Sequence, residues 1–186
     1  MSDLLHGRNG FKEYSKEQIE LAIIQFDSDV KVLRIPSLVK RGDRLPVLQV
    51  RGLNTNTVGA VRKAMSIIEN RKIEHKMKGL SYYRPWIILL TDGNPNPCSQ
   101  SELQSLLYDV SHSISENKFM LTAIGIGNSV DKEFLSAISN NNYHRIGQAN
   151  ISTFFQALSA SMTMKYGNGP QDNLSIELDN ELQDDI

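Results

Sequence analysis

The chain has 186 residues, 40% of them apolar and 22% charged, with a formal net charge of −1. That length supports a domain with a real core, in an ordinary globular composition. The near-zero charge supplies no field to draw nucleic acid or an anionic membrane, and no run approaches the ~20 apolar residues that cross a bilayer.

The single cysteine, Cys98, leaves neither an internal disulfide nor a cysteine-cluster zinc site. It follows Pro97 in an expected loop with no helix start or basic neighbour to activate its thiol. A reducing, cytoplasmic compartment is the simpler expectation. The opening residues, MSDLLHGRNGFK, contain no apolar stretch of signal-peptide length.

Residues 19–26, IELAIIQF, form a buried-strand candidate that ends on Asp27-Ser28-Asp29. Residues 30–35, VKVLRI, alternate apolar and polar. The pair predicts a hairpin with one solvated strand at a sheet edge. Residues 36–53 read as irregular, with a short extended piece at 47–50. Over residues 57–78, Val58, Val61, Met65 and Ile68 step by three and four, which predicts a helix with one apolar face. Gly79 is its stop. Its cations Arg71, Lys72, Lys76 and Lys78 read as a solvated face.

Residues 86–91, WIILLT, are a continuous apolar run typical of a strand covered on both faces, with Trp86 as a core anchor. Residues 101–117 predict a helix, with Leu103, Leu106, Leu107, Val110 and Ile114 in phase. Residues 119–126 are a second buried strand. Residues 131–139 are a short helix with an acid in its first turn, and 143–146 a third strand. Residues 150–166 predict a final helix whose face is Ile151, Phe154, Phe155, Leu158 and Met162.

Strand and helix alternate, so the fold class is α/β. The expectation is a Rossmann-like open, mostly parallel sheet with an antiparallel edge strand and helices on both faces. The domain covers residues 1–166. Residues 167–186, GNGPQDNLSIELDNELQDDI, carry six acids and no base and read as an acidic flexible tail. Leu174, Ile176 and Leu178 alternate there, a pattern that a partner could take up as an added strand.

Ligands of open parallel sheets bind outside the carboxyl ends of the strands, and Asp92 falls at such an end. Its carboxylate either faces that crevice or caps the following Gly-Asn-Pro turn. Before the first long helix stands Gly52-Leu53-Asn54-Thr55-Asn56-Thr57-Val58-Gly59-Ala60. One hydroxyl, from Thr55 or Thr57, suffices to cap that helix. Several oxygen donors gathered together also suit a hard divalent cation such as Mg²⁺.

In order, "IIQFDSD", "LNTNTVGA", "WIILLTDGNPN" and "LTAIGIG" resemble the von Willebrand factor type A (vWA) domain over residues 14–165. The stretch "FFQALSASM" after "SNNNYHRIGQANIST" is similar to the bacterial tellurite-resistance TerY-type branch, which implies a stress-response setting. The resemblance implies a metal-ion-dependent adhesion site (MIDAS). In the family it is built from an Asp-x-Ser-x-Ser motif, a Thr before a helix and the Asp of a TDG sequence. Thr55 matches the second element, with Thr57 as a one-turn alternative, and Asp92 matches the third. Asn54, Asn56, Gly93 and Asn94 flank them as partner-binding residues. The implied cofactor is Mg²⁺, and the implied partner is another protein that reaches the site through an acidic side chain.

No Asp-x-Ser-x-Ser precedes residue 19, and residues 1–14 resemble only the end of the family's first helix. The expectation is a chain whose first strand is missing and whose metal site is incomplete, weak or vestigial. That strand would lie between the strands at 19–26 and 86–91. Its loss would leave backbone groups unpaired at ~1–3 kcal/mol each, so self-association through the gap is a further expectation. A metal-free scaffold of the same fold is the alternative.

An enzyme finds little support. Gly125 and Gly127 in "AIGIGNSV" lack the third glycine of a dinucleotide fingerprint; their plain reading is close approach of a neighbouring loop. No Walker-type lysine loop or Gly-x-Ser-x-Gly elbow occurs. His6, His75, His112 and His144 share no spacing, and His75 and His112 read as solvent-facing helix residues.

Overall fold

A computed structural model describes residues 19–40, 42–44, 46, 54–92, 95, 98–127 and 130–147. The expected segments at 1–14, 47–50, 150–166 and 167–186, and the residues Gly93 and Asn94, lie outside them. The elements are β1 (Glu20–Phe26), β2 (Val30–Leu38), α1 (Thr57–Met77), β3 (Trp86–Thr91), α2 (Gln100–Ser115), β4 (Met120–Ile126), α3 (Lys132–Ser139) and β5 (Tyr143–Ile146). The chain divides into two compact units, Met1–Ile23 with Leu33–Leu48 and Ile146–Ile186, and Ile24–Val32 with Gln49–Arg145.

The strands form two sheets among the described residues, where the sequence suggested one: an antiparallel pair β1-β2, and a parallel sheet in the order β3-β4-β5. The hairpin turns on Asp27, whose Oδ1 accepts from the Asp29 amide at 2.9 Å while its own amide donates to the Asp29 carbonyl at 3.0 Å. β2 runs three residues past the expected Ile35, through Pro36. A two-stranded sheet consists of edges, where a residue without an N–H is tolerated.

In the first unit, Ile23 and Val39 are buried, and the Val39 amide donates to the Ile19 carbonyl. Arg34 organises the segment after β2. Its Nη2 reaches the Leu38 carbonyl at 3.0 Å and Asp43 Oδ2 at 2.8 Å, and its Nε reaches Ser37 Oγ at 3.1 Å. The Lys40 amide and then the Arg34 guanidinium hold the Asp43 carboxyl below the usual carboxylate range.

The second unit holds the main core. Val61 of α1, Ile87 and Leu89 of β3, Leu106 and Val110 of α2, Leu121 and Ala123 of β4, and Phe134, Leu135 and Ile138 of α3 form one cluster. Val58, Met65 and Ile68 pack against it, so the three-and-four spacing found the buried face of α1. β3 and β4 are parallel, with Trp86 opposite Met120 and Thr91 opposite Gly125.

Local chemistry fixes the helix ends. Ser99 and Glu102 form a capping box at α2, the Ser99 Oγ accepting from the Glu102 amide and the Glu102 carboxylate accepting from the Ser99 amide. Asp131 caps α3 by accepting from the Glu133 and Phe134 amides. A Cβ at Gly125 would lie 2.7 Å from Leu135 Cδ1 and 3.3 Å from Val130, the close approach that the glycine predicted. Trp86 is half-buried, and its Nε1 donates to Thr122 Oγ1 at 2.9 Å. His112 is exposed as expected, but the ring nitrogens of His75 are buried and its ring meets Tyr82 edge to face.

Candidate functional site

The segment ahead of α1 is ordered by backbone and side-chain hydrogen bonds. The Asn56 amide donates to the Asp27 carbonyl at 2.8 Å, which ties the end of β1 to the start of the helix. Asn56 is also the N-cap: its Oδ1 accepts from the Gly59 amide at 2.9 Å, and its carbonyl accepts from the Ala60 amide at 3.1 Å. The sequence suggested Thr55 or Thr57 as the cap. Asn ranks with the best N-cap residues, and that ranking was the signal available for finding it.

The two threonines differ in their surroundings. Thr57 is fully buried, with its hydroxyl donating to the Thr55 carbonyl at 3.4 Å and its amide to the same carbonyl at 2.8 Å. Thr55 is half-buried and Asn54 exposed. Thr55 is therefore the more accessible of the two threonines.

Asp92 follows the last residue of β3. Thr91 is 4% exposed and Asp92 is exposed, so the chain leaves the core within one residue and the carboxylate stands outside the strand's carboxyl end. The hydrogen bonds thus bring together Asp27, Thr55, Asn56, Thr57 and Gly59, whereas Asp92 sits on a separate element. An open depression of about 480 Å³ beside α3 is lined by Lys132, Glu133, Ser136 and Tyr143 among others, and its lining includes neither Thr55 nor Asp92.

Among the described residues, no group of three or more His, Cys, Asp or Glu side chains is gathered to hold a metal ion. One carboxylate and one hydroxyl would leave most of an octahedral Mg²⁺ shell to water or to other molecules. The described donor set therefore does not fit a self-sufficient metal cage.

A parallel three-stranded sheet, an antiparallel pair and helices define a mixed α/β domain, a class of fold in which ligands bind outside the carboxyl ends of the parallel strands. The family model of the von Willebrand factor type A domain matches residues 7–160, and the chain belongs to that family. A search of the curated proteins found no match. Domains of this family generally mediate protein–protein interaction rather than catalysis, and they commonly carry a metal ion. Among the described residues, no helix is long and apolar enough to cross a membrane.

Proposed function

We propose that this chain is a non-enzymatic protein-interaction module that receives its partner at a rim formed by Thr55, with Asn54 and Asn56 beside it, and Asp92, with Gly93 and Asn94 beyond it. The observation that carries the reading is the exposed Asp92 directly after buried Thr91, in a chain of the vWA family. Topology supports it. α1 and β3 pack in one core and are joined only by residues 78–85, so the helix start and the strand end fall on the same side. α1 also has no acid in its first turn, so no carboxylate of its own offsets the positive end of the helix dipole.

The ion decides what Asp92 attracts. Were Mg²⁺ bound, Thr55 and Asp92 would be the residues to hold it, and the ion would supply positive charge for a partner carboxylate. As a metal-free scaffold, Asp92 repels a carboxylate and selects a cationic or donor group instead. The resemblance to the TerY-type branch supports a cytoplasmic, tellurite-resistance or stress-response setting.

Calorimetric titration with Mg²⁺ or Mn²⁺ separates the two versions. Binding by the wild type that disappears in Asp92→Ala supports the metal-dependent rim. Identical behaviour of the two proteins eliminates it and leaves the scaffold, whose thermal stability ignores chelator and responds to a bound partner instead.

A further inference from the structure

The opposite end of α1 carries an unusual surface. Ile73 is 56% exposed, Met77 82%, Leu80 52% and Tyr82 47%. Large apolar side chains scattered singly are normal on a protein surface, but a group of them marks an interaction site. Ile73 and Met77, four residues apart, share one face of the helix's last turns, while Leu80 and Tyr82 stand on the segment that leaves it, Tyr82 against His75.

The backbone beneath them is fixed. Gly79 has φ +65°, its amide donates to the Lys76 carbonyl at 3.1 Å, and the Leu80 amide donates to the His75 carbonyl at 2.9 Å. That is the Schellman pattern. The Tyr82 ring then meets the His75 ring edge to face with centroids 5.5 Å apart. The exposed side chains therefore project from an ordered support, which lowers the entropy cost of binding.

Charge gives the surface a sign. The neighbouring acids are already engaged: Glu69 with Lys72 at 3.2 Å, and Glu74 with Arg71. Lys76 and Lys78 are exposed, and among the described residues neither has an ion-pair partner. The surface is apolar with surplus positive charge.

We propose that this helix end is a second docking surface, and that it takes a protein segment whose acidic side chains flank apolar ones. Two surplus cations fall short of the clusters of 4–8 that hold a protein on anionic lipid, so a protein partner fits better than a membrane. Met and Tyr suit such a contact, the first by adapting its shape and the second by adding rigid amphipathic area. The surface is separate from the rim. α1 spans 21 residues, or ~31 Å, with Asn56 at its start and Met77 at its end.

The test uses the full chain and a labelled helical peptide of about four turns, with leucine on one face and glutamate on the other. Fluorescence anisotropy is expected to show binding, weakened about tenfold or more by Lys76→Glu with Lys78→Glu and by Ile73→Ser with Met77→Ser. Asp92→Ala should leave it unchanged, so failure here and failure of the rim are distinguishable. All four variant positions are exposed, where substitutions usually move stability by within ~0.5 kcal/mol. Several results would overturn the proposal. They are no binding, equal binding of a lysine-for-glutamate peptide, or indifference to both double variants. Preferential binding to phosphatidylserine vesicles would point to a membrane. Self-association abolished by Ile73→Ser with Met77→Ser would make the occupant a second copy.

Discussion

Asn56 donates its backbone amide to the Asp27 carbonyl across 2.8 Å and accepts the Gly59 amide on its side chain. One residue thus closes the end of β1, caps α1 and sits next to Thr55. A Cβ placed on Gly59 would lie 2.7 Å from Asn56 Oδ1, so cap and glycine are matched. Asn56→Ala is expected to cost about 0.5–2 kcal/mol. Gly59→Ala, which in an ordinary helix gains about 0.5–1 kcal/mol, should gain that only when Asn56 is already Ala. A denaturant double-mutant cycle reads the coupling. Independent, additive effects would show that the side-chain cap does not hold the helix start.

Thr122 ties the sheet together through its hydroxyl, which accepts from Trp86 Nε1 at 2.9 Å and from Asn142 Nδ2 at 2.7 Å. It is fully buried on β4. Thr122→Val keeps the shape and removes the acceptor. Unsatisfied donors cost about 1–3 kcal/mol when buried, and both partners here are only half-buried, so a total loss of about 1–3 kcal/mol is expected. Trp86 is the sole tryptophan, so its emission should report the change directly. Thr122→Ser should restore most of the stability. If Thr122→Val is as stable as the wild type, the network contributes nothing.

Much of this fold was legible because its periodicities are strong. Trp86–Thr91 stands where its apolar run put it, Tyr143–Ile146 forms the short third strand that was expected, and α1 buries the face its spacing marked. What stayed hidden depended on partners distant in sequence. His75 looked solvent-facing until Tyr82 folded back onto it. The pairing of the described strands into two sheets is likewise something that alternation alone does not specify. At the start of α1 the oxygen-rich pattern points to Thr55 and Thr57, and the residue that caps the helix is the asparagine between them. Asp92 stands out in the sequence as a carboxylate at the end of a six-residue strand, and in the structure it is exposed there.

Gly125 is a steric requirement of the packing between β4 and the chain leading into α3. Ala at this position would press its methyl against Leu135 Cδ1 at 2.7 Å and Val130 at 3.3 Å, and Leu135 is fully buried. Overpacking of this kind costs about 1–3 kcal/mol. Leu135→Ala alone should cost about 2–5 kcal/mol through the cavity it leaves. Combined, the two should cost less than their sum, because the new methyl enters the space that Leu135 vacates. Chemical denaturation of the three variants measures this, and strict additivity would show that the two side chains do not compete for one volume.

The capping box of α2 makes a signed prediction about pH. The Ser99 backbone amide, and then its hydroxyl, hold the Glu102 carboxyl below the usual glutamate range. As pH falls, the unfolded chain therefore takes up this proton before the folded one does. The contribution is complete above the unfolded-state pKa and is lost as pH falls through the folded-state value. Glu102 is exposed, so the effect is small and sensitive to salt. The difference in melting temperature between the wild type and Glu102→Gln should be constant near neutral pH and close toward zero in acid. Other carboxylates titrate in both proteins alike, so the difference isolates this one. A gap that widens on acidification would mean that the protonated carboxyl is the better cap, reversing the sign of the interaction drawn from its hydrogen bonds to Ser99 at 2.9 and 2.7 Å.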